Sequence, residues 1–236
     1  MSHILSYLQK EYNEKISKKT IYNWIEKGLL KYDKKKIKKV KVKGYESKQT
    51  YQMLSRKKLL EGKEYEDFLN YVFKNKNFTI CELDLVQGSR DSGINYLLTF
   101  FIPKIQFLFA FKIKNKEPQS VVKVLDWLER RIGHKYFKRL FGLLLSDQGS
   151  EFLKYKKISR SVYGSYTKRC EIFYCKPASP YQKPNIENIH TLLRRFIPKG
   201  TDIENYSQND INYIVSNLNS LYKVKYNNKS PIKMFL

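Results

Sequence analysis

Residues 143–152 read LLLSDQGSEF. Three leucines run into a serine, an aspartate and a glycine, the pattern of a short buried strand that ends in a turn at Gln148 and Gly149. Asp147 therefore stands at the carboxyl end of a strand, where a polar group can face a cleft. As a turn former it would need no further role, because Asp and Gly are common wherever a strand stops. As a metal-binding carboxylate it would need acidic partners elsewhere in the chain.

Working outward, FTICELDLVQG (78–88) alternates as a strand does, with Phe78, Ile80, Glu82 and Asp84 on one side and Thr79, Cys81, Leu83 and Leu85 on the other. INYLLTFF (94–101) and QFLFAFKIK (106–114) are two further short aromatic strands separated by Pro103. PQSVVKVLDWLERRIG (118–133) places Val121, Val122, Leu125 and Leu128 at helical spacing and closes on basic residues and Gly133. After the strand that ends at Asp147, IFYC (172–175) predicts another strand, QKPNIENIHTLLRRF (182–196) a helix, and SQNDINYIVSNLNSLY (207–222) a last helix capped by Ser207. Three strands before a crossover helix, then strands and helices, predict a mixed sheet flanked by helices. The expected class is α/β, compatible with an RNase H-like fold, over residues 77–236.

The amino-terminal part differs. ILSYLQKEY (4–12) and ISKKTIYNWIEKGLL (16–30) read as two short helices, the second with Ser17 as N-cap, Ile21, Trp24 and Ile25 as an apolar face, and Gly28 at its end. Such a pair can form a helix-turn-helix, whose second helix enters the major groove. The run KYDKKKIKKVKVKGYESK (31–48) follows at once, and Lys34, Lys35, Lys36, Lys38, Lys39, Lys41 and Lys43 would lie along phosphates as a basic arm. The expected organisation is a helix-turn-helix and basic arm over 1–50, a connector with helical pattern over 51–76, and the α/β core beyond.

Composition agrees with a polyanionic partner. The 236 residues carry 46 Lys and Arg against 22 Asp and Glu, a formal charge of +24, while 42% hydrophobic and 15% aromatic residues exclude a disordered polyelectrolyte. The three cysteines show no zinc spacing and no disulfide framework. No apolar run reaches the length of a membrane span, and Lys10, Glu11, Glu14 and Lys15 arrive too early for a signal peptide, so a soluble cytoplasmic protein is expected.

Three acids fall at comparable places in this plan: Asp84 within the first strand, Asp147 at the end of the fourth, and Glu187 at the start of a helix. Each alone has an ordinary explanation, as an edge-strand acid, a turn former or a charge on the helix dipole. Together they would repel unless a hard divalent cation neutralised them. Glu187, His190 and Arg194 follow at helical steps of three and four, so Arg194 could reach a phosphate.

These stretches resemble DDE transposases of the insertion-sequence-thirty family. The resemblance rests on ELDLVQG, SDQGSEF and PASPYQKPNIENIHTLLRRFIPKGTDIENYSQNDINYI, and it covers roughly residues 78–235. It implies Asp84, Asp147 and Glu187 as a catalytic triad binding two magnesium ions, with manganese as a substitute. It also implies binding of inverted-repeat DNA ends and target DNA, with Arg194 and Lys199 among the DNA contacts. Strand cleavage and strand transfer in a homodimer or larger complex, in a bacterial cytoplasm, would follow. Cys81 replaces a tryptophan of the family pattern, Gln148 an asparagine and Pro184 a glycine, and SLYKVKY departs from an arginine- and proline-rich stretch. Family members carry a further DNA-binding region upstream of this helix-turn-helix. The expectation is a compact or truncated copy, either an active transposase or a decayed one that binds DNA as a repressor.

Overall fold

The structure, a computed structural model, describes residues 16–30, 58–89, 96–223 and 226–236. The chain divides into two units, Met1–Leu59 and Leu60–Leu236. In the first, α1 (Lys18–Glu26) forms as its caps predict. The Ser17 hydroxyl accepts from the Thr20 N–H at 3.1 Å, and Gly28 takes a positive φ of 72° that lets Leu29 N–H close on the Trp24 carbonyl at 2.9 Å. Ile21 and Ile25 are buried. The candidate preceding helix at 4–12 and the basic run at 31–48 lie outside the described residues.

The second unit is built on one five-stranded sheet of β1 (Ile80–Gln87), β2 (Tyr96–Ile102), β3 (Phe107–Ile113), β4 (Leu143–Ser146) and β7 (Glu171–Tyr174), in the order β3-β2-β1-β4-β7. β1, β2 and β3 pair antiparallel, whereas β4 is parallel to both β1 and β7. This order, with helices on both faces, is the mixed RNase H-like arrangement expected from the sequence.

Alternation along the strands sorts the core. Cys81, Leu83, Leu98, Phe100, Leu144 and Ile172 meet α3 (Pro118–Ile132) and α4 (His134–Phe141) on one face. On the other, Val86, Leu97, Phe101, Leu108 and Ala110 meet α6 (Pro184–Leu193) and α7 (Gln208–Ser220). Beside them α2 (Tyr65–Lys74), in the stretch read as a connector, sets Phe68 against Leu143, Leu145 and Phe173. Glu82 and Asp84 have the parity of Val86 and so face α6.

Several elements between α3 and β7 were not anticipated. α4 follows α3 directly, because Gly133 with φ 80° both ends α3 and turns the chain into α4, and Phe137 and Phe141 bury the same face one turn apart. The short helix α5 (Tyr155–Ser159) and the hairpin of β5 (Arg160–Ser161) and β6 (Gly164–Lys168) then fill the link to β7.

The open edge at β3 is closed by amide side chains of α7. Asn219 accepts from Leu108 N–H at 2.9 Å and donates to the Leu108 carbonyl at 2.8 Å, while Gln208 does the same for Lys112 N–H and the Ala110 carbonyl. An edge strand otherwise exposes those groups as a template for pairing.

Candidate active site

The parallel register of β1 and β4 determines which acids meet. Glu82 is opposite Leu145, so the same register continued two residues places Asp84 beside Asp147, just past the end of β4. Gly149 N–H donates to Asp147 Oδ1 at 3.0 Å, the local turn that lets β4 stop there. A side chain at Gly149 would strike the Glu151 carboxylate at 2.7 Å, so the turn has room for no other residue without a shift.

Between the two aspartates lies the ammonium of Lys183, the N-cap residue of α6. Its Nζ is 3.3 Å from Asp84 Oδ1, 3.9 Å from Asp147 Oδ2 and 3.4 Å from the Leu83 carbonyl oxygen. His190, two turns along α6, brings Nδ1 to 3.7 Å from Asp84 Oδ2 and Nε2 to 2.9 Å from the Thr99 hydroxyl. Thr99 is the β2 partner of Asp84 and donates to the Asp84 carbonyl oxygen at 3.0 Å. Burial pushes the His190 imidazole down to about 4, with Asp84 pulling the other way and the charges of Lys183 and Arg194 adding to the fall. The ring is therefore neutral at physiological pH and serves as a spacer between β1, β2 and α6.

Glu82 fixes the start of α6. Its carboxylate accepts from the Ile186 N–H at 2.7 Å and from Asn185 Nδ2 at 2.8 Å, satisfying a first-turn donor that the helix cannot satisfy itself. Burial raises its pKa, and those hydrogen bonds oppose the rise. Pro184 occupies N1, where a missing N–H costs nothing and the fixed φ suits the helix. It does not interrupt the element that carries Glu187.

Glu187 itself is exposed on the first turn of α6, and Lys199 is exposed beyond its end. Among the described residues, no group of three or more His, Cys, Asp or Glu is placed to hold a metal ion. The two aspartates supply hard oxygen donors converging on one cation, which fits a divalent ion in chemistry. In this structure a lysine is the cation they hold. Arg194 is half-buried: one Nη donates to the Gln87 carbonyl at 2.9 Å, the other is buried without a partner, and burial lowers its pKa. Lys34, Lys35, Lys36, Lys38, Lys39, Lys41 and Lys43 lie outside the described residues.

Sequence reasoning missed Lys183, Glu82 and Thr99 as members of this cluster. Glu82 had a signal, since it shares a strand face with Asp84. Lys183 had none, being one of 46 basic residues.

No protein-family model matches the chain. It is 28% identical over 222 residues to ORF3 of Spiroplasma virus SpV1-R8A2 B, a protein carrying the name of an integrase; the match covers 92% of this chain and 62% of that one. It is 24% identical over 150 residues to transposase InsI for insertion sequence element IS30C of Escherichia coli (strain K12), covering 64% of this chain and 36% of that one. The chain thus spans less than two thirds of the length of these relatives. A solved chain from the simian T-cell lymphotropic virus intasome, bound to PP2A regulatory subunit B56 gamma, aligns at 15% identity with a TM-score of 0.47, over 66% of this chain and 53% of that one. No helix among the described residues is long and apolar enough to cross a membrane. Its relatives are transposases and an integrase, and the chain is similar over much of its length to the insertion-sequence-thirty transposases that its motifs resemble.

Proposed function

We propose that the chain is a DDE transposase, cleaving DNA at the inverted-repeat ends of an insertion sequence and transferring the freed 3′-hydroxyl into target DNA. The observation that carries this reading is the convergence of Asp84, within β1, and Asp147, just past the end of the adjacent parallel strand β4, onto one cation, with the helix of Glu187 docked beside them. In an open sheet of this kind, the crevice outside the carboxyl ends of the strands is where ligands bind. Asp84 and Asp147 would hold magnesium or manganese, and Glu187 would complete the site from the first turn of α6. Bound there, two such ions would activate the attacking hydroxyl and stabilise the leaving oxygen. Neutral His190 and Thr99 would keep the Asp84 strand and α6 at fixed spacing, and the positive charge of the chain would draw DNA to the site. Because transposition joins paired ends, the working form is at least a homodimer.

A repressor that binds DNA without cutting it is the second reading. It is favoured by the exposure of Glu187 and by the lysine held between the aspartates. Strand-transfer assays with the element's own inverted repeats, with and without magnesium, separate the two. For the transposase, Asp84→Ala removes metal-dependent joined products by at least roughly a thousandfold and leaves DNA affinity unchanged. Joining that survived Asp84→Ala and Glu187→Ala would refute the triad. DNA binding by the unaltered chain with no joining in magnesium would establish the repressor.

A further inference from the structure

Lys183 is only 6% exposed, yet it carries a full ammonium. Burying such a charge is unfavourable unless it is paired. Helix capping does not account for it, since an N-cap favours Ser, Thr, Asp or Asn and no side-chain cap bond forms here. What it meets is three oxygens: a carboxylate oxygen of Asp84 at 3.3 Å, the Leu83 carbonyl at 3.4 Å and, at the longer ion-pair distance of 3.9 Å, a carboxylate oxygen of Asp147. Two of them are the carboxylates read above as metal ligands. A divalent ion bound to those oxygens would lie within a few ångströms of the ammonium, and the two like charges would repel strongly in a partly buried setting.

Resting on that reading of the acids, we propose that Lys183 is a built-in counter-ion of the Asp84–Asp147 pair, which holds the pair together in the absence of a divalent ion and competes with that ion for it. Metal uptake then requires the ammonium to leave. Lys183 precedes the helical turns as their N-cap residue, so its side chain can swing without unwinding α6. Once displaced it needs another anion, and a DNA phosphate supplies one. Metal and DNA therefore bind cooperatively, and the site takes up its metal more readily when substrate is present.

The test is titration of the intact chain with Mn²⁺, following the free ion by electron paramagnetic resonance, alongside thermal melting. Lys183→Met is expected to bind Mn²⁺ at least roughly tenfold more tightly than the unaltered protein. Lys183→Arg, which keeps the charge, stays near the unaltered affinity. Inverted-repeat DNA should tighten Mn²⁺ binding in the unaltered protein and have little effect in Lys183→Met. Without metal, Lys183→Met melts at lower temperature, and Mn²⁺ restores it; if that variant does not fold alone, folding on addition of Mn²⁺ is the same result, and Lys183→Gln repeats it. A lesion that was merely structural would weaken metal binding, so equal or weaker affinity in Lys183→Met and Lys183→Gln overturns the proposal. Asp84→Asn separates the two layers. If it abolishes Mn²⁺ binding while the Lys183 variants bind no tighter, only the counter-ion role falls. If it leaves Mn²⁺ binding unchanged, the metal reading of the acids falls and takes the counter-ion role with it.

Discussion

Asp147 shows how one side chain serves two ends. One oxygen takes the Gly149 N–H and shapes the turn, while the other faces Lys183. The turn-former and charged-site readings of such a residue are not exclusive, because a carboxylate has acceptor sites for both. A second acid, Glu129 of α3, is spent wholly on structure. It is fully buried and accepts from the Ser161 hydroxyl at 2.6 Å and Val162 N–H at 2.9 Å, with His134 Nδ1 at 2.8 Å and Arg169 at 3.3 Å. Burial alone would raise its pKa; the hydrogen bonds from Ser161, His134 and Val162 and the charge of Arg169 outweigh it and hold the group below the usual 4.5. Because the folded state then binds fewer protons than the unfolded chain, the stability that Glu129 contributes is complete above that usual value. It is lost as pH falls through the lowered one. Glu129→Gln is expected to cost about 3 kcal/mol at neutral pH by leaving Arg169 short of charge. The gap from the unaltered protein should narrow as urea denaturation is repeated at successively lower pH, and a gap independent of pH would assign Glu129 no ionic role.

At the scale of elements, α6 is positioned by strand side chains more than by its own sequence. Glu82→Ala would leave the buried Ile186 N–H without a partner, at a cost of about 1–3 kcal/mol. Hydrogen exchange should then quicken in the first turns of α6 well before the sheet amides respond, and uniform loss across both would make Glu82 an ordinary core residue. Much of this layer was legible. The strand of LLLS, the alternation that puts Glu82 and Asp84 on one face, and the helices at 118–132 and 208–220 all follow from periodicity and caps, because those signals are local. α4 escaped notice because a glycine ending α3 hides a helix that begins on the next residue. The pairing of Asp84 with Lys183, 99 positions apart, depends on strand order and on a helix docking across it. Local pattern has no access to that, so the acids could be picked out individually while the cation between them could not.

For the molecule as a whole, the charge of +24 is the property most directly coupled to function. On the reading proposed above, a chain with that excess would meet DNA first through phosphate; each phosphate contact releases counter-ions, so affinity would fall with salt by a slope near 0.9 per contact on duplex DNA. Seven of the basic residues are packed into positions 34–43, directly after the candidate recognition helix. If that run grips the backbone, replacing Lys34, Lys35, Lys36 and Lys38 by Gln lowers the slope of log affinity against log salt by roughly 3–4. Affinity at low salt should fall alike for inverted-repeat and unrelated duplexes, since phosphate contacts carry no sequence information. Fluorescence anisotropy over a salt series reads both quantities at once. An unchanged slope would make the run a solvated tail and move the phosphate contacts to the α/β core, and a loss confined to the inverted repeat would make it a reader of bases.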